Sequence, residues 1–490
     1  MKRSFKATLY NVQSPTWRLA LDWVIWVGLI LALLMLATSI FYGLQIGHWR
    51  HDAFLYISKD VAALKVQQEG RWLNYLLFDV LQFIPGHLAW FLNLIFIGVG
   101  FYLVSKELGF SALHSSIFTL CCIMFPGLHE QNTWPVTSLP ASVLFLIAVM
   151  AITRISWLLT PAFGILFFAT IPSLYFILPL AILKNYEDKS WRGFLAMAGK
   201  GVLWGFGMIA GYLVSAFYNW QKFGMFGFEV ASWRDPHPAH DLASLSANVA
   251  RYAELFTGHV FEWLPTWGVW SLLLSIVFVG AGIIADRKIK PDFIVKTSYV
   301  IVVMISPYLV LLGIGILLQF RSLLPMAVGI LAFPAILAPA HARQVVMALL
   351  IFGIGLPSGW TSLQGTRWYS EFTRINVRNV EEALPRRPSA YSYLVVDIPD
   401  IEGYVKGIQD QMPSGLSPLY YQEFMTQPDR VISAFTELGA QTIIPCQIWD
   451  HEKCSIIRAR IADGTACEDN LGQVCVIGME ENYLLVSMRP

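Results

Sequence analysis

The chain has 490 residues, of which 56% are hydrophobic and 14% are charged, and its formal net charge is +1. The mean hydropathy of +0.55 is typical of a protein that crosses a membrane many times, and a soluble core does not need so large an apolar fraction. Its 34 Lys and Arg residues form no basic face or arm, which argues against a nucleic-acid partner.

Apolar stretches of spanning length recur along the first 360 residues. A span needs about 20 apolar residues, and the hydropathy rule predicts about eleven helices. The first is too long for a signal peptide and lacks a cleavage site after it, so we expect it to remain as an anchor. Pro172 breaks the segment 156–184, which we predict to be a tight hairpin. The predicted helices lie near 19–41, 86–104, 111–126, 136–153, 156–171, 173–184, 198–218, 267–285, 297–317, 322–339 and 344–360.

Basic residues mark alternate loops between these segments, whereas the opposite loops are richer in acids. The positive-inside rule therefore places the N-terminus in the cytoplasm and the polar tail on the outer side of the membrane. We predict a multi-pass protein whose C-terminal domain lies outside the cytoplasm, which for a bacterial inner membrane is the periplasm. The residues that mark the cytoplasmic side are Lys2, Arg3, Lys6, Arg18, Lys106, Arg154, Lys184, Lys189, Arg192, Arg287, Lys288, Lys290 and Arg343.

The tail contains four of the six cysteines: Cys446, Cys454, Cys467 and Cys475. An even number in an oxidising compartment predicts two disulfides. A zinc site is the alternative, but no pair has a short CxxC spacing and only His451 lies among them. The other two cysteines lie in an apolar helix, where packing is their ordinary role.

Short β-type segments in the tail predict a small mixed domain. They lie at 393–396, 442–444 and 483–486, and 417–438 is predicted to be mostly helical. The predicted fold class is therefore an all-α polytopic membrane protein with a small C-terminal α/β domain. The division is 1–360 for the membrane part and 361–490 for the tail, whose role is predicted to be structural or acceptor-binding.

Asp52 follows the first predicted span by a few residues, at the outer membrane surface. The next stretch, 57–84, has apolar residues at helical spacing among charges and is predicted to lie along the membrane surface. Such a helix would hold Asp52 and Arg71 over the bilayer edge, where a lipid-linked headgroup would lie. The simpler interpretation is a solvated loop carboxylate beside an interfacial anchor.

Further candidates lie in the same set of outer loops. Glu130 is a second catalytic candidate in the short polar turn 126–132. Arg71 and Arg321 are candidate phosphate ligands, because a guanidinium binds phosphate in bidentate fashion. Arg71 has a simpler interpretation as a snorkelling side chain beside Trp72. His and Lys side chains in loops are usually just solvated. The weaker substrate-binding candidates are His51, His129, Lys222 and Arg234.

The organisation of the membrane part resembles the GT-C superfamily of glycosyltransferases, with an acid in the first outer loop followed by a surface helix and about a dozen spans. Within it, His51-Asp52 followed by Gly70-Arg71-Trp72-Leu73 is similar to the serotype-converting O-antigen glucosyltransferases of bacteria and phages. That family shows an acidic pair, whereas His51 stands in place of the first acid here and leaves Asp52 as the sole carboxylate.

The resemblance implies transfer of a hexose such as glucose from a polyprenyl-phosphate donor to lipid-linked O-antigen or a related surface glycan. Asp52 would deprotonate an acceptor hydroxyl, which attacks with inversion, while Arg71 and Arg321 stabilise the departing phosphate. It also implies membrane-lipid contacts and a separate donor synthase and flippase. We expect no cofactor and no obligatory divalent metal, since one or two carboxylates make a poor metal cage.

Two other classes of function remain open. A transporter or flippase for lipid-linked sugars would need polar residues at the bilayer midplane, usually on broken helices in paired repeats. Few ionisable residues lie inside the predicted spans. An O-antigen polymerase or ligase would use arginines in a large outer loop, and 219–265 with Arg234 and Arg251 is such a loop.

Overall fold

The computed structural model describes residues 15–46, 59–186, 188–230, 234–286, 291–340, 342–416, 428–440, 442–447, 451–463, 474–480 and 483–489. Over this part the chain is mostly helical, with one four-stranded sheet near the C-terminus. The architecture agrees with the predicted class of helical membrane protein.

Six helices in the described part are long and apolar enough to cross a membrane. Two consecutive helices that meet at a bend of 109° raise the number to seven if together they count as one span. A helix needs about 20 residues to cross the hydrocarbon, and the remaining apolar segments form shorter helices. The count of eleven spans therefore stays a prediction. The six are Leu19–Leu44, Gly86–Glu107, Pro135–Arg154, Trp191–Phe223, Pro291–Leu311 and Arg343–Ala383, and the bent pair is Leu242–Trp263 with Thr266–Ala281.

Several short helices complete the membrane part. A π-helical turn interrupts the last span at Ile351–Gly355, between Arg343–Leu350 and Leu356–Ala383. The remaining helices are Lys59–Glu69, Trp72–Leu76, Phe78–Leu81, Ala112–Ile123, Pro126–Gln131, Thr160–Phe168, Leu178–Ile182 and Leu324–Leu337, with 3-10 turns at Trp157–Leu159, Pro172–Ile177, Leu183–Asn185 and Phe320–Ser322.

The predicted hairpin is present as two short, irregular arms. Its base is closed because Lys184 Nζ donates to the carbonyl of Thr153 at 2.7 Å and contacts Glu107 Oε2 at 2.9 Å. Its tip lies far from the base, where the Ala169 carbonyl accepts from Leu73 N at 3.1 Å. The two arms therefore run from one end of the helix layer to the other and back, and their crossing of a membrane stays a prediction.

Glycines allow one arm of the hairpin to pack closely on a long helix. A Cβ at Gly164 would lie 2.3 Å from the carbonyl oxygen of Gly207, and one at Gly211 would lie 2.7 Å from that of Gly164. Small residues four positions apart let helix backbones approach closely in membranes. Thr160–Phe168 is thereby fixed against Trp191–Phe223.

The tail contains a mixed four-stranded sheet, whose strands are β1 Tyr393–Asp397, β2 Ile443–Pro445, β3 Val474–Glu480 and β4 Tyr483–Met488. Their order across the sheet is β2-β1-β4-β3. β1 pairs in parallel with β2 and β4, and β3 is antiparallel to β4. The three predicted strands are confirmed, and β3 was not predicted. The tail helices are Ile401–Asp410, Pro428–Glu437 and Glu452–Ala462, with a 3-10 turn at Pro388–Ala390.

A disulfide joins Cys446 to Cys454 and ties the end of β2 to the helix Glu452–Ala462. Cys475 is also disulfide-bonded, whereas Cys467 lies outside the described residues. Cys121 and Cys122 are free and buried. The prediction of a disulfide within the tail is confirmed, and the full connectivity stays a prediction.

One hydrophobic core joins the tail to the membrane helices. It contains Ile46 and Trp90 from the membrane part, Trp368 from the last long helix, and Tyr404 and Val431 from the tail. The helix Leu356–Ala383 runs through the predicted boundary at residue 360 and carries the chain into this core. The tail therefore packs on the end of the helix layer at which Gly86–Glu107 begins.

Candidate functional site

Asp52, the principal candidate, and His51, one of the weaker ones, lie outside the described residues, as does the whole segment 47–58. The chain on either side of this segment is described: the first span ends at Leu44 and the next helix begins at Lys59. The role of Asp52 stays a prediction.

Glu130 and Arg321, predicted separately as a catalytic and a phosphate-binding residue, form an ion pair. The distance between Arg321 Nη1 and Glu130 Oε1 is 3.4 Å, and the two side chains are only 16% and 6% exposed. The guanidinium also lies 4.2 Å from the centroid of the Trp134 ring, within the range of a cation–π contact. Arg321 is thus held between a carboxylate and an aromatic ring.

Aromatic packing places these two residues. Glu130 belongs to the short buried helix Pro126–Gln131, and Arg321 to the 3-10 turn Phe320–Ser322. Phe125 lies 5.1 Å, centroid to centroid, from both Phe320 and Trp263. The aromatic contact brings the two short helices together.

A second charged cluster surrounds Glu69, which we did not predict as a site residue. Glu69 Oε1 accepts from Lys65 Nζ at 3.3 Å and from Arg234 Nη2 at 3.1 Å, and Oε2 pairs with Arg71. Burial alone would raise the pKa of Glu69, but Arg71, Lys65 and Arg234 together outweigh it and hold the pKa well below its usual range. One ionised carboxylate therefore organises three cations.

The local sequence explains how Glu69 and Arg71 face each other. Gly70 has a φ of +72°, a conformation that costs glycine little, and a Cβ there would lie 2.6 Å from the Phe228 ring. After the turn, Trp72 Nε1 donates to Ser215 Oγ at 3.2 Å. The Gly-Arg-Trp stretch is therefore a turn that points Arg71 back to the preceding helix.

Hydrogen bonds connect the two clusters in a closed circuit. Arg234, bound to Glu69, accepts at its carbonyl from Leu317 N at 2.7 Å, four residues before Arg321. On the other side, Asn74 Nδ2 donates to the carbonyl of Thr137 at 2.9 Å. The longest chain segment in this circuit is the eight residues from Glu130 to Thr137, which reach at most about 25 Å when fully extended.

Both clusters lie at the same end of the helix layer, which we call the site end. The ring centroid of His129, the residue before Glu130, lies 6.4 Å from that of Trp90. Trp90 is near the start of the helix Gly86–Glu107. The Lys184–Glu107 pair lies at the other end of that helix, about 26 Å away along its axis at 1.5 Å per residue.

The structure also locates the weaker candidates. His129 is 2% exposed, its Nε2 lies 3.0 Å from the carbonyl of Ile123, and burial lowers the pKa of this imidazole to about 4. Lys222 is exposed in the last turn of Trp191–Phe223. Arg234 belongs to the Glu69 cluster. His129 and Arg234 are thus integrated into the site end.

Within the described part of the chain, no group of three His, Cys, Asp or Glu side chains is arranged to hold a metal ion. Because Asp52 lies outside the described residues, the expectation about metal stays a prediction.

Comparison with known proteins gives no match. No family model, no curated protein and no solved structure matches the chain. The likeness to GT-C glycosyltransferases therefore depends only on the organisation and short motif described above.

Sequence reasoning missed Glu69 and Trp134 as members of these clusters. Glu69 directly precedes the Gly-Arg-Trp stretch, and this adjacency was the available signal. Nothing in the sequence pairs Glu69 with Arg234, because the two are 165 residues apart.

Proposed function

We propose that this protein is a membrane glycosyltransferase that moves a hexose from a polyprenyl-phosphate donor to a lipid-linked surface glycan. The observation that carries this proposal is the circuit joining two carboxylate–arginine clusters at the site end. A reaction on a lipid-phosphate sugar needs cations at the membrane edge, together with a nearby base.

The Glu69 cluster is suited to bind the donor phosphate. It contains three cations, Lys65, Arg71 and Arg234, for one carboxylate. The side chains of Arg71 and Arg234 are 22% and 27% exposed, so both are positioned by Glu69 yet reachable from outside. Arg–phosphate contacts are charge-assisted and often bidentate, which favours a phosphate over a neutral headgroup here.

The Glu130–Arg321 pair supplies a second group that can respond to the substrate. A phosphate that approaches Arg321 competes with Glu130 for the guanidinium and releases the carboxylate for the acceptor. In this proposal Asp52 is the general base, and the acceptor oxygen attacks the anomeric carbon with inversion. A positioned base contributes roughly 10²–10⁴-fold, and cations that stabilise the departing phosphate remove the need to protonate it.

The compartment in this proposal is a bacterial inner membrane, with the site end and the tail in the periplasm. The loop charges and the disulfide of the tail support this orientation, because disulfides persist in oxidising compartments. Donor synthesis on the cytoplasmic side would then require a separate synthase and a flippase.

The decisive test compares Asp52→Asn with Asp79→Asn in the full chain, reconstituted in liposomes. Asp79 is a suitable control because it is a surface carboxylate whose side chain is 70% exposed and pairs with Lys59. We expect hexose transfer to fall at least about 100-fold for Asp52→Asn and to stay near wild type for Asp79→Asn. Normal transfer by Asp52→Asn would contradict the assignment of the base.

A second arm of the test concerns the clusters themselves. Glu130→Gln is compared with Glu107→Gln, because both carboxylates pair with a cation but at opposite ends of one helix layer. We expect only Glu130→Gln to impair transfer. If the intact protein alters glycan chain length or export and adds no side-branch sugar, the polymerase or flippase alternative replaces this proposal.

A further inference from the structure

A group of buried polar side chains beside Glu130 has atoms without hydrogen-bond partners. Five side chains between positions 129 and 138 contribute, and each is at most 6% exposed. The unpartnered atoms are His129 Nδ1, Gln131 Oε1, Asn132 Oδ1 and Nδ2, Thr133 Oγ1 and Ser138 Oγ.

Two asparagines from other helices extend the group. Asn74 Nδ2 donates to the carbonyl of Thr137, and Asn93 Nδ2 donates to that of Pro135 at 2.8 Å. Their amide oxygens, Asn74 Oδ1 and Asn93 Oδ1, have no partner. Both oxygens therefore lie near the start of Pro135–Arg154, and together with the five side chains above they form what we call the polar layer.

Such a concentration is unusual for a folded protein. Roughly nine in ten or more buried polar groups in native structures are hydrogen-bonded, and each exception calls for an explanation. In the sequence, members of the polar layer flank Glu130 and Trp134, the two residues whose side chains contact Arg321. Its place beside the charged pair indicates a ligand role.

The chemistry of the polar layer selects the kind of ligand. Four of its atoms are amide oxygens, on Asn74, Asn93, Gln131 and Asn132, and these only accept hydrogen bonds. His129 Nε2 must donate to the Ile123 carbonyl, so Nδ1 of the neutral ring accepts as well. A layer rich in neutral acceptors disfavours a phosphate, which itself only accepts when ionised, and favours a group with several hydroxyl donors.

Access to the polar layer requires a movement of the helix Pro126–Gln131. This helix has six residues and is buried throughout, and its Glu130 is tied to Arg321. A phosphate that draws Arg321 away from Glu130 would loosen this contact. Phosphate binding would thereby couple to exposure of the polar layer.

We infer that the polar layer is the site that binds the hydroxyl groups of the transferred sugar, separately from the arginines that bind its phosphate. This assignment rests on the proposed function. Thr133, Asn132 and the amide oxygens of Asn74 and Asn93 recognise the sugar ring.

The test measures binding of two kinds of lipid to the full-length protein in detergent. One is sugar-free polyprenyl phosphate, and the other is a series of polyprenyl-phosphate hexoses carrying glucose, galactose, mannose or N-acetylglucosamine. We expect at least one hexose lipid to bind about tenfold tighter than the sugar-free lipid. One or two hydrogen bonds to the sugar contribute a difference in affinity of this size. Thr133→Val should abolish this preference, and Thr133→Ser should retain it.

A matched control separates ligand binding from folding. Thr119→Val removes another buried and unpartnered hydroxyl, on the neighbouring helix Ala112–Ile123. We expect the Tm of Thr119→Val and of Thr133→Val to equal or slightly exceed that of the wild-type protein, because each substitution deletes an unsatisfied buried hydroxyl. Only Thr133→Val should lose the sugar preference.

The outcomes distinguish the two proposals. If Thr133→Val and Asn132→Leu both keep the wild-type preference, the polar layer is not the sugar site, and the proposed function stands. If every lipid binds equally well, the sugar site is likewise overturned while the phosphate site stands. If no lipid binds at all, the proposed function and this inference fail together.

Discussion

At Glu69, the cost of burying a carboxylate competes with the attraction of three neighbouring cations. Its side chain is 11% exposed, and the ion pairs prevail because Arg71, Lys65 and Arg234 all contact this one carboxylate. Removing one partner of a buried pair typically costs more than the pair contributes, since the other charges remain buried without compensation. Glu69 is therefore a positioning residue for both arginines.

We predict that Glu69→Gln lowers the free energy of unfolding by about 3 kcal/mol. The pKa of Glu69 lies below its ordinary value of 4.5, so the unfolded chain takes up a proton more readily than the folded protein. The stabilisation is complete above about pH 5 and is lost as the pH falls below 4.5. Thermal unfolding of the purified protein at pH 7 and pH 4 measures this.

The control for this prediction is Glu107→Gln, which breaks the pair with Lys184 at the opposite end. Glu107→Gln should preserve the acid-dependent loss of Tm, whereas Glu69→Gln should reduce it. An equal acid response of wild type and Glu69→Gln would contradict the role assigned to Glu69.

At the scale of elements, the turn at Gly70 decides where the surface helix ends and where Arg71 points. The helix Lys59–Glu69 stops because Gly70 adopts a left-handed conformation. Phe228 fills the space that a side chain would need at this position. Turn and packing together bring Arg71 to Glu69.

Gly70→Ala should destabilise the protein more than Gly224→Ala does. Both glycines have positive φ, at +72° and +76°, but a Cβ at Gly224 would meet nothing within 4 Å. We expect about 1 kcal/mol for Gly224→Ala from backbone strain alone and a further 1–3 kcal/mol, roughly, for Gly70→Ala from the clash with Phe228. Chemical denaturation of the two variants compares them, and equal losses would show that Phe228 yields freely.

At the scale of the whole molecule, the long helices separate two chemically different ends. Trp191–Phe223 has 33 residues, or about 50 Å at 1.5 Å per residue. Lys222 lies in its last turn at the site end, and Lys189 lies just before its start. The tail packs at the site end through the core that contains Trp90 and Trp368.

The orientation proposed above predicts that a cysteine at Lys222 reacts with a membrane-impermeant maleimide in intact spheroplasts. A cysteine at Lys189 should react only after the membrane is permeabilised. Both lysines are exposed, and the native Cys121 and Cys122 are buried, so each substitution adds one accessible thiol. If the maleimide labels Lys189→Cys from outside and does not label Lys222→Cys, the protein has the opposite orientation in the membrane.

Sequence reasoning was most successful where structure depends on local composition. The segments near 86–104, 136–153 and 198–218 are helical because their apolar residues are contiguous. The hairpin at Pro172 and the strands at 393–396 and 483–486 followed from local signals of the same kind. The number of spans was harder to predict, because it depends on whether an apolar segment forms one straight helix. The segment that forms Leu242–Trp263 and Thr266–Ala281 is sharply bent instead.

By itself, the sequence determined that this is a helical membrane protein with a small mixed tail, since hydropathy and strand propensity are properties of short windows. It also singled out Glu130 and Arg321 as residues of interest. Only the tertiary structure decided that they bind each other across 191 residues and that Arg71 shares Glu69 with Arg234. Ion-pair partners so distant in sequence are chosen by the packing of the helices that carry them.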